Sequence, residues 1–536
     1  MEQIAIYVML FAVVVAIGQF FNKSIVPLSL WLVMMGMLLS VWPNFPEVTL
    51  DSTVVLNIFL PVLIYQISSF SSWKDFKKNA RPISLLSVGH VLFITVLMAL
   101  VFHALLPSLG WPLAFVLGAV VSPPDDVAII SIAEKIRMPE RILTILEGEA
   151  MFNDATALIL FRFALAAIIT HEFSAVQAVS AFILVVIGES LYGLVLGFIL
   201  GELRLRIRDP MLHMIASILT PFLAYFPAEM LGGSGVLATA VTGFVIGHRY
   251  SLRFSPDFRL LSRAVWPTLV FAMQSILFLL IGLNLHSILN KISSIPLPDL
   301  FLYSTSTVLI VILGRFLWVY GAVAYLPRAL FPAIRKRDPY PPWQYSFIVS
   351  WAGMRGGISL AAALAVPALP ATSQILHPQE LIVFLVFCVI VVTLLVQGLT
   401  LPWLLKVIGA QQYGLREKHD EHLAELTAKL RMTQAVLRWL CDYKKIVKST
   451  PLMDEVDLYL QEYRFQKKQL SEKIDRDGKE IVDDDTTEKR RDSSLVAQIV
   501  EIERSELLLM WHAEKINLSV RNKLIAQLDH KSKHLP

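Results

Sequence analysis

The chain has 536 residues, 55% of them hydrophobic and only 17% charged, which excludes a string of soluble domains and fits a polytopic membrane protein. Its formal net charge of +4 is too small to argue for nucleic acid as a partner. Two cysteines, Cys388 and Cys441, provide neither a disulfide framework nor a metal-ligand spacing.

Taken in order, thirteen apolar runs lie at about 3–21, 24–42, 52–70, 83–106, 111–133, 141–170, 177–201, 211–226, 235–247, 265–285, 299–326, 343–366 and 380–405. The first lacks a basic flank before it and a small-residue cleavage site after it, so it reads as a retained span and not as a signal peptide. With the N-terminus outside, the loops assigned inside carry Lys23, then Lys74, Lys77, Lys78 and Arg81, then Lys135, Arg137 and Arg141. Further on they carry Arg204, Arg206 and Arg208, then Arg249, Arg253, Arg259 and Arg263, then Arg328, Arg335, Lys336 and Arg337. The loops assigned outside hold only Lys291. Lysine and arginine collect on the cytoplasmic side, and one missed helix would invert every later loop. The expectation is an all-α protein of the cell inner or plasma membrane, with thirteen helices and its C-terminus in the cytoplasm.

Composition changes after about Gly409, which sets a membrane domain over 1–409 apart from a cytoplasmic tail over 410–536. Helical periodicity appears in the tail around Leu423–Tyr443, Val456–Ile474 and Leu495–Leu528, with an acidic linker over Asp483–Ser494.

Two spans are interrupted. The fifth reads Ser122-Pro123-Pro124-Asp125-Asp126, where consecutive prolines remove two backbone donors and clash with the preceding turn. The twelfth reads Gly353-Met354-Arg355-Gly356-Gly357, whose glycines favour unwinding. Spans 1–6 and 8–13 would put the two breaks at matched places in an inverted repeat, the arrangement that marks a midplane substrate site in secondary transporters. Next to the first break stands Glu147-Gly148-Glu149-Ala150-Met151-Phe152-Asn153-Asp154, inside a run long enough to cross about 30 Å of hydrocarbon. Glu147 and Asp154 share a face, and Glu149 and Asn153 an adjoining one. A carboxylate at that depth is either one half of a structural pair or part of an ion or proton pathway. The neighbouring breaks favour the pathway.

These residues resemble the bacterial monovalent cation:proton antiporters of the sodium/proton exchanger type, over the whole membrane region. Asn153-Asp154 stands at the family's Asn-Asp ion-binding pair, Ser122-Pro123-Pro124-Asp125 looks like its Ser-Pro-Thr-Asp break, and Gly353–Gly357 like its Gly-Leu-Arg-Gly segment. Leu60-Pro61-Val62-Leu63-Ile64-Tyr65-Gln66 resembles a third-span pattern ending in glutamate, and Arg521–Asp529 resembles the tail ending of bacterial homologues. Gln66, Ala150 and Pro124 replace a glutamate, an often-seen serine and a threonine, which bears on ion selectivity. The resemblance implies a homodimer with a mobile core that holds two crossed helices, and it implies no cofactor.

Asp154 is expected to supply the charge for a bound Na⁺ or Li⁺, with K⁺ the alternative. The Asn153 amide, carbonyls around Ser122 and Pro124, Asp125 and water would complete the shell. Burial disfavours the ionised carboxylate, so a proton and a cation compete for it. Glu149 and Arg355 are expected to form a structural ion pair, with Arg315 neutralising another buried acid such as Asp125. Arg162 is expected to snorkel outward, and Asp126, Glu189 and Glu229 to line access routes or interfaces. His90, His103 and His213 read as packing residues. A passive cation channel lacks a filter-like repeat, and an intramembrane aspartyl hydrolase built on Asp125 and Asp154 lacks any further protease signature.

Overall fold

The computed structural model describes residues 2–21, 26–42, 50–125, 129, 138–170, 175–292, 295–338, 340–367, 378–446, 450–475, 493–513 and 515–533. Lys23, Asp126, Lys135, Arg137 and most of the acidic stretch from Asp483 lie outside them. All regular elements among the described residues are helices.

Among the described residues, eight helices are long and apolar enough to cross a membrane: Ser52–Phe70, Ala80–Leu105, Glu140–Ile169, Val179–Leu205, Pro210–Met230, Pro256–Lys291, Leu297–Leu330 and Pro378–Val407. Met9–Phe21, Leu28–Ser40 and Pro107–Val121 are shorter apolar helices. The chain is therefore a multi-pass, all-helical membrane protein. One expected run begins too late: the helix of the tenth starts at Pro256, nine residues before the apolar run, because Asp257, Arg259 and Arg263 interrupt its first turns with charge. An apolar criterion cannot see such a turn, whereas proline and an acid there suit a helix N-terminus.

By internal contacts the chain forms two compact units, residues 1–253 with 265–411, and residues 254–264 with 412–536. In the first, helices are brought together where side chains are missing. Gly36 of Leu28–Ser40 meets Gly282 of Pro256–Leu283, and a Cβ on Gly36 would stand 2.4 Å from the Leu279 carbonyl oxygen. Small residues at such crossings are how helices associate where lipid offers no hydrophobic drive. The helix Ala175–Leu205 instead turns Ile183, Leu184, Ile187 and Leu191 outward, as a lipid-facing surface does.

Polar ends of the first unit are tied by Asp338. It accepts from Arg81 at 2.9 Å, Arg141 at 2.7 Å and Arg328 at 2.6 Å, joining Ala80–Ser84, Glu140–Thr170 and Leu326–Leu330. Partial burial alone would raise this carboxyl, but hydrogen bonds and charge from the three arginines outweigh it and hold it below the usual range.

The second unit packs Gln411–Ile446, Thr450–Asp475, Ser493–His512 and Leu518–Lys533. Val436, Leu440, Val456, Leu460 and Ile499 form an apolar centre, and Tyr463 donates to Glu503 at 2.8 Å. The helical periodicity around Leu495–Leu528 resolves into two helices. Asn517 divides them, since its side chain accepts from Val520 N at 2.8 Å and caps a fresh N-terminus. The fully buried Asp529 accepts from Arg259 and, at 3.1 Å, from Arg504, while Arg263 donates to the Asn522 carbonyl at 2.9 Å.

Asp338→Asn is expected to lower the stability of the folded protein at pH 7 by about 1–3 kcal/mol, the usual worth of hydrogen bonds to a charged group. Because the folded carboxyl is held low, its contribution is complete above about pH 4 and disappears as pH falls below that. Thermal unfolding of parent and variant in one detergent, at pH 7 and then at progressively lower pH, checks both statements; equal midpoints at pH 7 would rule the tie out.

Candidate cation site

Helix Gly110–Val121 stops where Ser122, Pro123 and Pro124 follow, and the chain runs non-helically to Asp125. The second interruption separates Trp343–Trp351 from Gly357–Leu364 by the non-helical stretch Ala352–Gly356, extended at Gly356. The two breaks touch: Asp125 N donates to the Met354 carbonyl at 2.7 Å. Other freed groups are met by side chains, as non-helical backbone inside a membrane protein requires. Asn153 Nδ2 donates to the Pro124 carbonyl at 2.8 Å, and Thr393 Oγ1 accepts from Arg355 N at 3.1 Å. Asn153 Oδ1 in turn accepts from Asp154 N at 2.6 Å. The asparagine is thus engaged at both ends of its amide and acts here as a brace for the first break. Ser122 is buried, with its hydroxyl donating to Ala119 O at 2.9 Å.

The expected Glu149–Arg355 pair is replaced by another. Both Glu149 oxygens are taken by Arg315, Oε1 at 2.6 Å and Oε2 at 2.8 Å, and Arg315 Nε donates to Val349 O at 3.0 Å. Arg315 and Glu149 are each 1% exposed, so this is a fully desolvated two-point bridge from Leu297–Trp318 to Glu140–Thr170. Gly353 explains the choice, because a Cβ there would lie 2.3 Å from Arg315 Cδ; the bare backbone lets the arginine pass over the break. Arg315 is therefore not the partner of Asp125. Arg355 is completely buried, and its three guanidinium nitrogens have no hydrogen-bond partner among the described residues. The charges acting on it most are those of Arg315, Glu149 and Asp154.

Beside the crossing is a small cavity of about 30 Å³, enough for a water or two or for an ion of similar size. Asp125, Asp154, Pro123, Pro124 and Ala150 line it, together with Gln274 and Ser359. No described residue donates a hydrogen bond to the Asp154 carboxylate. Asp125 lies over Gly356, so closely that a Cβ there would coincide with its carboxylate, at the N-terminus of Gly357–Leu364. That terminus favours a negative charge. Gln66 sits half-buried on Leu60–Phe70 and is not part of the lining, although its neighbour Ile67 is. Arg162 does not simply snorkel; it pairs with Glu229 and donates to the Gly233 carbonyl. Gln274 and Ser359 were given no role in the sequence reading. The first had a signal, an amide in the middle of an apolar run.

A carboxylate without a hydrogen-bond partner among the described residues, lining a cavity beside two interrupted helices, is the mark of a membrane transporter that handles a cation or a proton. The sodium/hydrogen exchanger transmembrane family model matches residues 9–407, and the chain belongs to that family. It is a monovalent cation/proton antiporter, a transporter and not an enzyme. Similar proteins include an uncharacterised Na⁺/H⁺ exchanger of Mycobacterium bovis, 33% identical over 76% of this chain and 74% of its own length. Another is the Na⁺/H⁺ antiporter ApNhaP of Aphanothece halophytica, 30% identical over 73% and 71%. The sodium, potassium, lithium and rubidium/H⁺ antiporter of Bacillus pumilus is 29% identical over 79% of this chain and 63% of its own. In fold, the chain resembles the sodium proton antiporter MjNhaP1 of Methanocaldococcus jannaschii, with a TM-score of 0.59 at 17% identity, over 75% of this chain and 98% of that one.

Removing one partner of a desolvated pair leaves an expensive lone charge. Arg315→Met is expected to destabilise the protein by about 3–5 kcal/mol, seen as a lower unfolding midpoint and reduced folded yield. Glu149→Gln should behave likewise. A parent-like midpoint for both would show that the bridge carries no load.

Proposed function

We propose that the protein exchanges Na⁺ or Li⁺ for H⁺ across the cell membrane, one for one, with Asp154 binding both substrates in turn. The observation that carries this reading is the Asp154 carboxylate, unpartnered among the described residues and facing the cavity beside the paired breaks. A proton and a cation cannot occupy one carboxylate together, so each displaces the other. Exchange then requires only that the empty, charged site cross poorly. Thirteen spans with the N-terminus outside, two inverted six-helix halves and a homodimer complete the reading, supported by the loop charges and the matched breaks. The resulting work is pH and cation homeostasis. Potassium is the second candidate cation, favoured by the name of the Bacillus pumilus relative.

The stoichiometry follows from counting charges that change. Glu149 is balanced by Arg315, Asp125 lies at a helix N-terminus, and Asn153 and Gln66 are uncharged. One alternating carboxylate gives cation-loaded and proton-loaded states of equal charge. The membrane potential, about 2.3 kcal/mol per elementary charge per 100 mV, then has nothing to drive.

Asp154→Asn is expected to fold normally and to lose all cation-driven proton movement in liposomes, tested with each alkali cation in turn. Retained pH-dependent exchange would defeat the assignment. For stoichiometry, a potassium–valinomycin potential imposed on Na⁺-loaded liposomes should leave the steady-state pH gradient unchanged; a gradient that follows the voltage would mean two protons per cation, with Asp125 the next position to replace.

A further inference from the structure

A dehydrated alkali cation needs several oxygens around it, and carboxylates alone cannot supply them here. The first-break wall offers little else. Ala150 presents a methyl group, Pro124 has no side-chain oxygen and its carbonyl already accepts from Asn153, and Ser122 is turned to Ala119 O. The rest of the lining is different. It carries two uncharged polar side chains, Gln274 from Pro256–Leu283 and Ser359 from Gly357–Leu364. Neither has a hydrogen-bond partner among the described residues, and neither side chain is sealed from the cavity. Gln274 is otherwise surrounded in sequence by Leu269, Val270, Phe271, Ile276 and Leu277. An amide left without a partner in such a setting is costly, unless what it faces is water or an ion.

Resting on the antiport reading above, we infer that Gln274 Oε1 and Ser359 Oγ are the uncharged ligands that complete the shell of a cation held by Asp154, and that Gln274 sets ion preference. The chemistry is consistent with the charge count. An amide and a hydroxyl donate oxygen dipoles without adding a group that titrates, so they bind the cation and leave the one-for-one exchange intact. They also act on affinity more than on proton binding, because a protonated Asp154 makes no use of them. Their loss weighs most on the ions that are hardest to dehydrate, in the order Li⁺, Na⁺, K⁺.

The test is cation-driven proton flux from purified full-length protein in liposomes, with Li⁺, Na⁺ and K⁺ titrated separately. Gln274→Leu and Ser359→Ala are each expected to raise the apparent KM for the preferred cation by about tenfold, the equivalent of one charge-assisted contact, with a much smaller change in maximal rate. The preference for Li⁺ and Na⁺ over K⁺ should shrink in Gln274→Leu. Gln274→Glu restores the oxygen with a charge, and it should recover cation affinity and make the exchange respond to an imposed voltage. It also serves if Gln274→Leu fails to fold. Unchanged KM and ion order in the leucine and alanine variants would overturn the inference, as would a Gln274→Glu protein identical to the parent in KM, ion order and voltage response. Either result leaves the antiport reading standing as long as Asp154→Asn is inactive; no cation-driven flux in the parent would instead remove the reading itself.

Discussion

The structure depends on one constraint, that backbone freed from helical hydrogen bonding inside a membrane protein must be satisfied by the protein itself. Two prolines and a run of glycines break the fifth and twelfth apolar runs, and the loose ends answer one another through Asp125 N and the Met354 carbonyl. Asn153 and Thr393 take up further groups from neighbouring helices. With the polypeptide at the crossing occupied in this way, Asp154 is left as the carboxylate with free coordination. The site is made by what its surroundings have already consumed.

Charge follows the same economy. Four buried ionic groups, Glu149, Asp154, Arg315 and Arg355, act on one another, and among the described residues the direct pair is Glu149 with Arg315. Arg355 keeps its charge without a direct partner, in a place where the fields of Glu149 and Asp154 both reach it. Its backbone N–H donates to Thr393 Oγ1, which holds it at the crossing. A fixed positive charge there offsets part of the cost of an ionised Asp154 without filling its coordination sphere.

Much of this was legible in the amino-acid order. Consecutive prolines and a cluster of glycines around an arginine announce the two breaks, whereas the single prolines Pro221 and Pro267 and the spaced glycines of Ala175–Leu205 stay inside continuous helices; an acid next to a break stands out because hydrocarbon tolerates so few of them. The partner of Glu149 was not legible. Arg315 and Arg355 are both buried arginines on other spans, and the choice between them turns on whether a side chain can pass over Gly353, a property of packing that no local pattern encodes. The first turns of Pro256–Leu283 fall outside the apolar run because Asp257, Arg259 and Arg263 put charges into them, although proline and aspartate mark the start. Gln274 was missed for a subtler reason: one amide in an apolar helix is unremarkable until the fold shows that it faces the same space as Asp154.

The segment 254–264 has a consequence for how the chain is handled as a molecule. It belongs with the C-terminal helices, where Arg259 reaches the buried Asp529 and Arg263 the Asn522 carbonyl. A chain cut after residue 411 would keep those two arginines and lose every acceptor that the last helix gives them. Residues more than two hundred positions apart in sequence are thus one folding element, and a boundary drawn by hydropathy alone would run straight through it.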